Sequence, residues 1–468
     1  LTTTSQGAIA SNVKLLCFNN VSVTGATVTP GTITAVNNPT ASTDSPFDDP
    51  EGYKFGEGGD QNLIKCGNFI TDSSNGATLD LPWEPQWLLF KQNNANNNWI
   101  ILDSMRGWTA DGVVDMLYPN VANTESSGSG YEKLLGNTIR FQGYGNNYDF
   151  MYIAIRRPDG YVGKPALAGT DAFAMDTGNA STTIPAYDSG FPVDFGLDRQ
   201  PASSENWYTS ARLMGAKWLK TNANSAETSG ASYLWDSNVG YVAGNWASSS
   251  YQSWMWKRGA GFDVVTDKGN GQTTKQIAHG LGVVPEMIWR KNRDASDEWQ
   301  IYHVGLNGGT NPYLWRIYFT TTGESNDQWT WTNAPTATHF TVGANGAVNR
   351  NNEDFITMLF ASANDADGNP ISKVGSYTGN ASSSGPTITL GFAPRFILIK
   401  CTTGGTNWFV YDTLRGLTAG NDKRLYLNTN GGQDTADDID PSATGFQVVS
   451  TWDQLNGNTQ NYLYYAHA

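Results

Sequence analysis

The stretch Pro394-Arg-Phe-Ile-Leu-Ile-Lys400 decides how this chain reads, because it recurs. Pro85-Gln-Trp-Leu-Leu-Phe-Lys91 and Pro285-Glu-Met-Ile-Trp-Arg-Lys291 share its proline and, six residues on, its lysine. A tryptophan falls fourteen residues after each proline, at Trp99, Trp299 and Trp408. Four residues further stand Asp103, His303 and Asp412, and then Arg106-Gly107 and Arg415-Gly416, where the middle stretch has Leu306-Asn307. Agreement at so many offsets marks an internal repeat. The unbroken apolar run after each proline predicts a strand buried on both sides, ended by a lysine that reaches water. The tryptophan stretch is also strand-like, as in Trp408-Phe-Val-Tyr-Asp412, and the short polar loop Thr402–Asn407 makes the pair a hairpin.

The repeat extends outward from this hairpin. Thr378-Gly-Asn380 lies ahead of Pro394 and Gly269-Asn270 ahead of Pro285. Each copy closes on an aromatic strand: Phe150–Ile155, Phe355–Phe360 and Tyr462–Ala466. A degenerate copy fills the gap, with Thr177-Gly-Asn179, Pro192, Asn206-Trp207, Lys220-Thr-Asn222 and Trp254-Met-Trp-Lys257, but without the lysine. The expected organisation is therefore residues 1–55 as two strands (Val13–Cys17, Ala26–Pro30) and a linker (Asn37–Glu51), then sandwich repeats at 56–157, 158–260, 261–373 and 374–468.

Composition agrees with an all-β fold of tandem antiparallel sandwiches, jelly-roll-like, with tryptophans filling the layer between sheets. Charged residues are 15% of 468 while glycine reaches 51 residues, a balance that disfavours long helices and favours turn-joined strands. The net charge of −14 argues against a nucleic-acid partner, which demands a basic face. No apolar run reaches the ~20 residues of a membrane span. The start at Leu1 has no initiator Met and no signal-peptide pattern, and reads as a processed start or part of a longer chain.

Candidate chemistry is sparse, and the expected sets of catalytic, cofactor and metal residues are empty. Cys17, Cys66 and Cys401 are read as buried free thiols, and His279, His303, His339 and His467 have no metal-ligand spacing. Asp103 with Arg106, and Asp412 with Arg415, read as structural pairs across a glycine turn. The acidic groups Asp48-Asp49-Pro-Glu51 and Asp434, Asp437, Asp438, Asp440 read as solvated loops, with calcium ligation as the alternative. Gly56-Glu-Gly-Gly59 lacks the lysine of a phosphate loop. Trp83, Trp108, Trp315, Trp329, Trp331 and Trp452 lie in or near loops, where they anchor the loop or form a binding rim.

Two passages carry a family resemblance. They are Leu81–Lys91 with Asn98–Gly107, and Gly375–Asn380 with Gly391–Lys400; the run from Asp176 through Asp188–Asp194 to Arg212 agrees with them. These resemble modules of tail-fibre-like virion proteins of marine tailed bacteriophages. In such proteins the modules often follow a concanavalin-like, laminin-G-type domain, and Val13–Pro46 resembles the stretch trailing one. The resemblance implies a virion protein, a tail fibre or surface appendage that mediates host attachment. Its implied partners are other virion proteins, further copies of itself (a trimer is the guess) and a host-surface glycan or protein. The alternative is a purely architectural head decoration or appendage sheath; a weaker third is a capsule-polysaccharide depolymerase, which would need two facing carboxylates.

Overall fold

The computed structural model describes residues 62–468 apart from 74–75, 129, 160–165, 231, 260 and 320–322, together with the backbone of two short strands ahead of them. Those strands, Leu16–Cys17 and Ala26–Val28, pair antiparallel. The linker, the acidic group at 48–51, the Cys17 side chain and Gly56–Gly59 lie outside the described residues.

From residue 62 on the protein is all-β, and one strand order occurs four times. In the fourth segment a leading strand (Pro370–Thr378), a closing strand (Asn461–His467), an anchor strand (Phe396–Cys401) and a tryptophan strand (Trp408–Asp412) lie side by side in that order. Facing them is a small sheet of Thr387–Thr389, Gly445–Val448 and Ile439–Ser442. The first segment repeats this with Ile64–Ile70, Asp149–Arg156, Pro85–Gln92 and Ile100–Asp103. The second uses Phe173–Thr177, Gln252–Trp256, Phe195–Arg199 and Tyr208–Ala211. The third uses Phe262–Lys268, Asp354–Phe360, Met287–Asn292 and Gln300–His303.

Register fixes which residues correspond. On the closing strands, Lys91, Arg199, Lys291 and Lys400 stand opposite Met151, Gln252, Ile356 and Leu463. The second copy thus keeps a cation at the lysine position as Arg199, and its true anchor is Val193 rather than Pro192. The sequence reading missed this by one residue.

Side chains of the anchor strand alternate between two cores. Ile397 and Ile399 point into the sandwich of the fourth segment, whereas Phe396 and Leu398 join a core shared by the second, third and fourth. In that shared core Trp207, Trp254, Trp256, Trp289, Trp299 and Trp408 meet, all with exposure of at most 1%. The repeat tryptophans Trp207, Trp299 and Trp408 therefore fill the space between sandwiches, not the layer within one as the sequence suggested. The sandwiches are also not beads in series: three of them close on one apolar centre.

The closure is cyclic. The indole N–H of Trp207 donates to the Tyr426 carbonyl (2.8 Å), that of Trp408 to Tyr318 (2.9 Å) and that of Trp299 to Lys220 (2.8 Å). Second thus touches fourth, fourth touches third, and third touches second. Three backbone bonds repeat the cycle in the opposite sense: Glu227 N–H to Arg293 O (2.8 Å), Glu324 to Thr402 (2.8 Å) and Gln433 to Pro201 (2.7 Å). Each acceptor lies two residues past the anchor cation, so one interface is built three times.

Two of the three anchor lysines do not reach water, whereas Lys91 stays half-exposed. Lys291 and Lys400 are fully buried, and each folds back on its own hairpin. Lys291 Nζ donates to the carbonyls of Asn292 and Ala295, both at 2.8 Å, and Lys400 Nζ to the Thr406 carbonyl and hydroxyl. Burial pulls both ammonium groups down to about 8. An ammonium with three donors satisfies turn carbonyls that the apolar ring would otherwise leave dry.

Candidate functional site

The first sandwich joins the ring through an ionic junction beside a cleft. Arg258 Nη1 and Nη2 donate to the two Glu84 oxygens, each at 2.7 Å, a forked pair that fixes geometry as well as charge. Arg157 Nη2 reaches Asp263 at 2.7 Å, and Arg258 Nε reaches the same carboxylate at 3.1 Å. Burial alone would raise the Asp263 carboxyl, but Arg157 and Arg258 hold it below the ordinary carboxylate value. Arg293 bridges Asp111 of the first sandwich and Glu227 of the second, at 2.9 and 2.7 Å.

The cleft measures about 810 Å³ and is lined by Met105, Pro192, Asp194, Lys257, Leu281 and Val283 among others. Its carboxylates are committed: Asp159 pairs with Arg156 at 2.7 Å, and Asp194 accepts the Arg258 backbone N–H at 2.8 Å and lies 3.4 Å from Arg212. Arg212 in turn caps the carbonyls of Trp235 and Val193 at 2.6 and 2.8 Å. Such an arrangement ties sandwiches together; it does not present two facing acids to a substrate. Lys257 makes no side-chain hydrogen bond or ion pair among the described residues and is the cation the cleft leaves available.

The residues singled out from sequence disperse. Arg106 pairs with Asp103 at 2.6 Å and Arg415 with Asp412 at 2.7 Å, and the following Gly107 and Gly416 have φ of 128° and 110°, so the structural reading of this triplet is what the fold shows. In the third copy His303 takes the place of the aspartate. Its Nε2 donates to the Tyr464 carbonyl at 3.3 Å, its Nδ1 accepts from the Gly305 N–H at 2.9 Å, and burial lowers it to about 4. Cys401 is buried, but Cys66 is exposed, which corrects the expectation for that thiol.

Asp434 and Asp438 both serve Arg424, at 2.9 and 2.7 Å, and Asp438 also accepts from Tyr411. Among the described residues no three His, Cys, Asp or Glu side chains gather as metal ligands. Trp83, Trp108 and Trp331 are buried, while Trp329 and Trp452 are exposed by 57% and 38%. Trp452 covers Arg424 at 4.9 Å.

Sequence reasoning also missed two buried acids. Asp198 sits within the second sandwich, where Tyr241, Ser253 and Tyr233 surround it and no cation does; burial raises it to about 7. Glu132, inside the first sandwich against Tyr144, is likewise raised by burial to about 7. The signal in sequence was slight: an aspartate within Phe195-Gly-Leu-Asp-Arg199, at a position that is Ile399 in the fourth copy.

A family model described as Domain of unknown function (DUF7483) matches residues 174–468. The chain belongs to that family. The match begins within the leading strand of the second sandwich and runs through the closing strand of the fourth, so the DUF7483 domain of this protein is the three-sandwich ring. The first sandwich lies outside the matched range. Among curated proteins none matches this chain.

Proposed function

We propose that this chain is a bacteriophage virion structural protein, a tail fibre or surface appendage that mediates host attachment. The observation that carries the reading is the shared core. Welding three short-stranded sandwiches on one tryptophan-lined centre makes a stiff body, which suits a load-bearing part outside a cell. The motifs shared with tail-fibre-like virion proteins point the same way. Exposed loop aromatics, Trp329 above all, suit stacking on a host-surface glycan. The committed carboxylates of the junction cleft favour a binding or structural role over polysaccharide cleavage.

Mass spectrometry of purified particles should find peptides of this chain, and the purified protein should compete with particles for adsorption to cells. Particles that lack the chain would end this reading. Particles that contain it but whose adsorption the free protein leaves unchanged would favour the purely architectural alternative.

A further inference from the structure

The first sandwich repeats the topology of the other three but, among the described residues, leaves open the face that they bury. On its large sheet Trp87, Leu89 and Ile101 are half-buried, and Met151, Ile153 and Ile155 are exposed by 43%, 37% and 38%. The residues in register with Ile153 are Trp254, Met358 and Tyr465, exposed by at most 1%. Those in register with Leu89 are Leu197, Trp289 and Leu398, equally buried. The anchor strand of the first sandwich is thus apolar on both sides although only one side is covered among the described residues.

The polar fittings of the interface are also in place, the Tyr118 carbonyl accepting the Val121 N–H at 3.2 Å just as the Tyr426 carbonyl accepts that of Thr429. In the ring two of the three tryptophan backbone N–H groups are held by an asparagine: Trp207 by Asn222 and Trp408 by Asn428, both at 2.9 Å. Trp99 is held in the same way by Asn120 at 3.0 Å. Yet the Trp99 indole N–H meets no acceptor among the described residues. The carbonyl in register with those of Lys220, Tyr318 and Tyr426 is that of Tyr118. The residue just before the outer edge strand, which donates to the neighbouring sandwich as Glu227, Glu324 and Gln433, is here Glu125, and it is exposed. Its counterpart acceptor, two residues past the anchor lysine, is Asn93, also exposed. Lys91 already satisfies its own turn, donating to the Gln92 and Ala95 carbonyls, so the face carries no idle ammonium.

We infer that the first sandwiches of three copies of this chain close on one another as the second, third and fourth do within it, making the protein a homotrimer. Trp99 Nε1 donates to the Tyr118 carbonyl of the next copy, the Glu125 N–H donates to the Asn93 carbonyl of the copy on the other side, and Leu89, Ile101, Met151 and Ile153 form the shared centre. The occupant is a copy of the same chain because the fold shows what such a face accepts: the same face, twice over, in cyclic order. The geometry holds whether or not the chain is part of a virion.

Light scattering after size exclusion should give about three times 50.8 kDa for the whole chain. Ile153→Asp should give the mass of a single chain with the unfolding midpoint of the ring unchanged. Trp99→Phe should leave each chain folded and weaken each of the three interfaces by about tenfold, as loss of one hydrogen bond per interface would. Trp329→Asp, which changes an exposed aromatic away from this face, should leave the trimer intact. A one-chain or two-chain mass at tens of micromolar would overturn the inference. So would a trimer indifferent to both Ile153→Asp and Trp99→Phe, or a monomer in which Met151 resists oxidation because some other segment covers it.

Discussion

Replacing Trp408 with phenylalanine tests whether the ring is one cooperative body. The substitution keeps an aromatic ring in the shared core but removes the N–H that donates to the Tyr318 carbonyl at 2.9 Å. Leaving that carbonyl without its donor costs about 1–3 kcal/mol. The lost portion of the indole leaves a void of roughly 40 Å³, worth ~1 kcal/mol at ~24 cal/mol per Å³. The total is ~2–4 kcal/mol. For a cooperative unit of roughly 300 residues the unfolding entropy is ~0.6 kcal/mol/K, so the melting temperature should fall by ~3–6 °C. Cyclic construction adds a sharper demand: Trp207→Phe and Trp299→Phe remove the equivalent bonds and should lower the same transition by similar amounts. Calorimetry, with intrinsic fluorescence as a second probe, reads both. Separate transitions responding to separate substitutions, or losses under ~0.5 kcal/mol at all three sites, would refute the shared-core reasoning.

Asp198 and Glu132 are raised to about 7 in the folded state, so on their account stability is fully present near pH 4 and lost as the pH rises through 7. Asp198→Asn should flatten the difference between melting temperatures at pH 5 and pH 8, and an unaltered difference would show that this group is not the one titrating. Lys291 and Lys400, lowered to about 8, act in the opposite sense. The unfolded chain holds their protons up to about 10.4, so stability should rise between pH 8 and 10, by up to ~3 kcal/mol per lysine, and Lys400→Met should remove its share. Above pH 10 the buried tyrosines such as Tyr411, held protonated by burial, reverse the slope. Arg258→Ala leaves Glu84 only the 3.4 Å contact with Arg157 and leaves Arg157 as the one arginine on Asp263; it should cost about 3–5 kcal/mol, read as a lower melting temperature. Gly416→Ala forces a β-carbon at φ 110° and should cost about 1–3 kcal/mol in thermal melts.

The strand class was legible because the anchor runs are short, apolar and bounded by turns. The corresponding Gly-Asn elements were legible too: a β-carbon at Gly269 or Gly379 would strike the carbonyl of Arg350 or Gly457. Burial on both faces of Phe396–Cys401 could be read from its unbroken apolar run. What covers the second face could not, because a hydrophobic pattern records burial but not the partner. The lysine misled for a related reason: its ammonium is expected in water, yet the hairpin turns back to supply carbonyls, a local geometry that the residue type does not announce. The cyclic order lay in contacts between distant residues, such as the indole bonds 79, 90 and 219 positions long, for which a single sequence carries no direct signal. The recurring Asn-Trp dipeptides at 98–99, 206–207 and 407–408, each answered by Asn120, Asn222 or Asn428, were the visible trace of the interface.

One arginine shows where the ring begins and ends. Arg395 Nη1 donates both to the Phe173 carbonyl, at the head of the second sandwich, and to the Ala468 carbonyl, at 3.2 and 3.3 Å. The two extremities of the family domain are thus neighbours, so the ring can be spliced as a cassette into a surface loop of another protein without stretching either junction. Its gene can equally be rewired, with a short bridge joining 468 to 173 and a fresh opening cut at the hairpin turn Gly404-Gly405. A protein whose order of synthesis can be rotated while its architecture stays put has a closed circuit of contacts rather than a directional stack.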